Sequence, residues 1–87
     1  MSNKFDDLLS FPTRFNFRLI VYANDSVVEE CKNVLASVFG EVQSCEVLPS
    51  SSGRFYRVHI LVLAKSAAEL YSGYEALRSV DGIKMVI

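Results

Sequence analysis

The residues predict an α+β sandwich of βαββαβ order, a four-stranded antiparallel sheet with two helices on one face. Three observations carry this. Residues 15–22 and 54–64 place their side chains on two contrasting faces at period two, as strands do. Apolar residues recur at helical period over 27–39 and 67–77. Capping signals open both helical stretches, and Gly- or Pro-bearing turns separate the elements.

Residues 1–14 read as an N-terminal arm and 15–87 as one domain. In the arm, Phe5, Leu8 and Leu9 share a face of a short helical turn that ends at Pro12, because the residue before proline avoids the α region. So apolar an arm is expected to pack onto the body. In the first strand, Phe15, Phe17, Leu19 and Val21 fall on one face and Asn16, Arg18, Ile20 and Tyr22 on the other. Asn24-Asp25-Ser26 announces a helix, with Ser26 and Glu29 at capping-box spacing. Val27, Val28, Cys31, Val34, Leu35, Val38 and Phe39 form its stripe, and Gly40 suits a left-handed C′ position.

Residues 41–48 predict a second strand whose weaker alternation suits a sheet edge. Pro49-Ser50-Ser51-Ser52-Gly53 is a loop. The third strand, 54–64, turns Tyr56, Val58, Ile60 and Val62 to one face. Ser66 and Glu69 form a second capping box, followed by the stripe Ala67, Leu70, Tyr71, Tyr74 and Leu77, with Gly73 inside it. Asp81-Gly82 turns the chain into a last strand, 83–87. Right-handed crossovers and helices on one face lead to the ferredoxin-like split βαβ sandwich, with strand order 4-1-3-2.

Eighty-seven residues make one domain, 51% hydrophobic and 22% charged, which is not the profile of disorder. Six Phe and four Tyr supply large core side chains where Trp is missing. Nine basic against ten acidic residues lack the basic excess with which proteins grip phosphate backbones, and this speaks against nucleic acid. The apolar stretch from Ile60 to Ala64 is far too short to span a bilayer. The first residues contain no apolar signal region, so the expected compartment is the reducing cytoplasm and Cys31 and Cys45 are expected as free thiols.

No catalytic constellation stands out. His59 is the single histidine, so no His pair can hold a metal. Cys31 lies on a helix stripe, where cysteine packs as a small hydrophobe. Cys45 lies fourteen positions further on, not at CxxC spacing, and is the one candidate for a reactive thiol. Glu29 and Glu30 suit the first turn of a helix dipole. Asp6, Asp7 and Asp81 have no partner at a meaningful spacing. Gly53-Arg54 precedes a strand, whereas phosphate loops open a helix.

The face opposite the helices is more informative. Arg18, Ile20 and Tyr22 from the first strand should lie beside Phe55, Arg57, His59, Leu61 and Leu63 from the third. This surface is too apolar for plain solvent exposure. Cover by the arm and use as a partner or dimer interface are both open. RNA-recognition modules also carry aromatics on these two strands, but Phe55 and Tyr56 are adjacent and so point to opposite faces.

Leu8-Leu9-Ser10-Phe11-Pro12-Thr13 is similar to the Leu-Leu-Glu-Phe-Pro-Thr element of the YbeD-like family of small uncharacterised bacterial proteins. Pro49-Ser50-Ser51-Ser52-Gly53 resembles the loop before that family's third strand. Ala64-Lys65-Ser66 and Lys84-Met85-Val86-Ile87 resemble its later markers. The likeness runs from Leu8 to the last residue, although the family often has Tyr where Phe55 stands and Ser where Arg57 stands. The resemblance implies a ferredoxin-like fold similar to ACT regulatory domains, which sense small ligands such as amino acids. It also implies a link to lipoate metabolism, because family genes often lie near those for lipoate attachment. It carries over no catalytic or binding residue. The expectation is a non-enzymatic regulatory or adaptor domain without a cofactor, acting by self-association or by binding a small ligand or protein. The alternative is a thiol-dependent enzyme subunit, with an RNA-binding module behind it.

Overall fold

The computed structural model describes residues 9–87. Its elements are β1 (Thr13–Tyr22), α1 (Asp25–Phe39), β2 (Ser44–Pro49), β3 (Phe55–Ala64), α2 (Ala67–Leu77) and β4 (Ile83–Val86). The sheet runs β2-β3-β1-β4 with every pairing antiparallel, which is the anticipated order 4-1-3-2 read from the other edge.

The two central strands pair along their whole length, from Thr13 opposite Ala64 to Tyr22 opposite Phe55. That register draws Thr13 and Arg14 into β1, so the arm ends two residues earlier than the 1–14 boundary. The long β3 supplies partners for them that the alternation starting at Phe15 does not reveal. Strand β2 starts at Ser44 rather than Glu41; before it, the Gln43 N–H donates to the Leu61 carbonyl at 2.8 Å. Pro49 ends it, which an edge strand tolerates because one row of its N–H groups needs no partner.

Asn24, not Ser26, caps α1. Its Oδ1 accepts the Ser26 N–H at 2.9 Å and the Ser26 hydroxyl at 2.7 Å. Ser26 is inside the helix, its own hydroxyl spent on the true cap. At α2 the predicted cap holds: Ser66 Oγ accepts the Glu69 N–H at 3.2 Å. Glu69 reaches back one residue further than the box pattern, accepting the Lys65 N–H at 2.7 Å. Gly40 closes α1 at φ 87°, donating its N–H to the Ala36 carbonyl.

The core lies between the sheet and the helices. Phe17, Leu19 and Val21 of β1 and Val58, Ile60, Val62 and Ala64 of β3 are buried against Val28, Cys31 and Leu35 of α1 and Leu70 and Leu77 of α2. Phe17 is its aromatic centre, edge-on to Tyr74 at 4.9 Å and to Phe15 at 5.0 Å. Tyr71, expected on the stripe of α2, is 46% exposed. The buried line runs through Ala67, Leu70, Gly73 and Leu77 instead, and Tyr71 sits beside it.

Leu9 and Phe11 pack against this core, on the helix side of the sheet. Phe5 and Leu8, the other apolar residues of the expected arm, lie outside the described residues.

Candidate functional site

Alternation along β1 and β3 sends one set of side chains into the core and the other to the opposite face. All eight residues anticipated for that face are brought together there by the β1–β3 register, and the edge strands extend it. At one end Tyr22 lies opposite Phe55, with ring centroids 5.1 Å apart. The next row runs Leu48, Arg57, Ile20, Met85. The row after it runs Glu46, His59, Arg18, and the last ones place Leu61 beside Asn16 and Leu63 beside Arg14.

Within this face Tyr22 is 53% and Leu63 37% exposed, and Arg18 and Arg57 are also open to solvent. Ile20, Phe55, His59 and Leu61 are half-buried by their neighbours in the sheet. A register shift at Ile20–Val21 inserts Lys84 as an extra residue in β4. The bulge aims it back over the sheet, with Nζ 5.0 Å from the centre of the Phe55 ring.

His59 Nδ1 stands 3.6 Å from Glu46 Oε1, a cross-strand pair on β3 and β2. Beside them is a shallow depression of about 180 Å³ lined by Asn16, Ser44, Glu46, His59 and Leu61. A second, of about 340 Å³, lies between Arg57 and the β2–β3 turn at Pro49, Ser50 and Ser51.

The thiols lie on the other side of the sheet. Cys31 is buried in α1, and desolvation, with Glu30 adding to it, pushes its thiol up to about 11. Cys45 is half-buried and pairs with Ile60 in register; burial raises its thiol too, against the pull of Lys32. Both shifts run opposite to the lowered pKa of a reactive thiolate. Among the described residues no group of three His, Cys, Asp or Glu could hold a metal ion. Among them, too, no helix is long and apolar enough to cross a membrane.

Leu48, Glu46, Met85, Lys84, Arg14 and Asn16 also belong to this face and were not singled out from the sequence as part of the site. Arg14 fell before the start assigned to the first strand. Leu48 and Met85 sit in strands of six and four residues, too short for alternation to declare a face. A basic residue within a four-residue strand gives no sign that a bulge will turn it onto an aromatic ring.

The family model described as Protein of unknown function (DUF493) matches residues 6–87. The UPF0250 protein YbeD of Salmonella newport (strain SL254) is 30% identical over 87 residues, covering 100% of each chain. The UPF0250 protein IL0958 of Idiomarina loihiensis is 27% identical over 84 residues, covering 97% of this chain and 96% of that relative. The solution structure of protein HP0495 from H. pylori superposes with a TM-score of 0.78 over 100% of this chain and 97% of that one. At 14% identity that likeness is one of fold. With its family model matched over nearly the full length and its strands in the anticipated order, this chain belongs to the small bacterial family described as Protein of unknown function (DUF493), with the UPF0250 and YbeD proteins as its relatives.

Proposed function

We propose that this chain is a non-enzymatic regulatory or adaptor domain that works by presenting the open face of its sheet to a partner. The observation that carries the reading is the composition of that face. Tyr, Phe, Met and Arg, the residue types enriched at protein interfaces, lie side by side across β1, β3 and β4. The chemistry of the thiols supports the non-enzymatic part, since a cysteine held neutral by burial is a poor nucleophile. Sensing of a small ligand in the manner of ACT domains, and a link to lipoate metabolism, are the narrower form of this reading and rest on the family resemblance.

The test is complementation of a strain lacking the gene, read as growth in competition with its parent. Leu61→Asp should lose function while its circular dichroism spectrum stays native, because a charge is placed in the interface but not in the core. Cys45→Ser should keep function, and His59→Ala, a truncation within the face, should weaken it far less than Leu61→Asp does. Loss of function in Cys45→Ser or full loss in His59→Ala, with Leu61→Asp active, would favour the thiol- or base-dependent alternative.

A further inference from the structure

Charge is unevenly divided between the two sides of the molecule. The chain carries nine Lys and Arg against ten Asp and Glu. Yet the open face holds Arg14, Arg18, Arg57 and Lys84, with Glu46 as the carboxylate that joins them. Glu46 is turned toward His59. The acids gather on the far side, at Asp25, Glu29 and Glu30 on α1 and Glu69 and Glu75 on α2, where Lys32 and Arg78 pair with two of them at 3.3 Å. Among the described residues Arg14, Arg18 and Arg57 have no ion pair.

We propose that the open face docks an acidic, amphipathic segment of another protein. Its carboxylates would meet Arg18 and Arg57, and its apolar side chains would cover Ile20, Leu61 and Leu63. The proposal rests on the open face being the binding surface and adds the chemistry of the partner. Arginine suits the task because its planar fork takes a carboxylate with two parallel hydrogen bonds. An apolar centre flanked by cations takes binding energy from burial and selects the partner by charge.

Two other occupants fit less well. A second copy of the chain, docked face to face about a two-fold axis, would bring the four cations of each face together with Glu46 from each copy to offset them. Single-stranded nucleic acid needs free aromatic platforms for its bases. Phe55 offers none, since Tyr22 lies 5.1 Å away and Lys84 Nζ sits 5.0 Å over its ring, which leaves the exposed Tyr22 as a single platform on this face among the described residues.

The experiment is photo-crosslinking of the full chain in its native host. A benzophenone amino acid replaces Tyr22 in one strain and Leu63 in another, both exposed positions, and the crosslinked peptides are mapped by mass spectrometry. The expected product is a segment of a different protein with net negative charge and apolar residues at amphipathic spacing. Adding Arg18→Glu and Arg57→Glu should cut its yield roughly tenfold or more, as loss of two charge-assisted contacts implies. Should the double reversal unfold the chain, Arg18→Gln with Arg57→Gln is the substitute, and the yield should still fall. A mapped segment that is neutral or basic, an RNA adduct, or a crosslink to a second copy would overturn the acidic partner while leaving the face as a binding surface. No crosslink from either position would overturn the binding surface itself.

Discussion

Gly73 sits inside α2, where glycine costs a helix about 1 kcal/mol relative to alanine. Packing explains its presence. A Cβ there would lie 2.8 Å from Phe17 Cζ and 2.9 Å from Phe39 Cε2, and Phe17 is fully buried. Gly73→Ala should therefore lower the melting temperature, because overpacking costs roughly 1–3 kcal/mol and outweighs the gain in propensity. An unchanged or raised melting temperature would mean that the two rings yield freely. Cys31 makes a second prediction, in pH. Its thiol ionises near 9 in an unfolded chain and at about 11 in the fold, so the native state holds its proton longer. Stability should be at its full value below pH 9 and should fall as the pH rises toward 11, by roughly 2–3 kcal/mol at one pKa unit per 1.4 kcal/mol. Cys45 and Tyr74 are raised in the same direction and add to the fall. Urea melts of the parent and of Cys31→Ala between pH 8 and 11 isolate the share of Cys31, and the variant should show the flatter dependence.

At the scale of elements, the start of α1 shows how near neighbours compete for one cap. Asn24, Asp25 and Ser26 are all good capping residues, and the capping-box spacing favours Ser26. The structure chooses Asn24, in extended backbone at φ −149°, because the chain leaving β1 turns directly into the helix. Asn24→Ala should cost about 1 kcal/mol, whereas Ser26→Ala should cost only a few tenths, since Ser26 donates to the cap and receives no helix N–H. Chemical denaturation of the two variants decides this, and the opposite ranking would restore Ser26 as the cap. The edge strands show a different economy. Strand β2 ends in Pro49 and β4 is only four residues long with a bulge, two devices that discourage further strands from adding to the sheet.

For the whole molecule, guarded edges and a cationic open face lead to one expectation: the isolated protein should sediment with the mass of a single chain at moderate salt. A two-fold dimer dissociated by Leu61→Asp would show that two such faces tolerate each other and would remove the charge argument for a different partner. Nearly all of the architecture was legible beforehand. Strand facings in β1 and β3 and both helices follow from local periodicity, since ten-residue strands repeat their alternation often enough to be unambiguous, and the strand order follows from the right-handed crossover rule applied to those elements. The eight residues of the central face were legible for the same reason. What the sequence by itself determined was therefore which side chains of the two long strands point away from the helices. Only the tertiary structure decided what stands beside them. Leu48, Met85 and Lys84 reach the face through pairings between residues far apart in the chain, and a single-residue bulge settles where Lys84 points. The sorting of charge is hidden for the same reason: a net charge near zero is a sum over residues, whereas a cationic face is a matter of which residues the fold brings side by side.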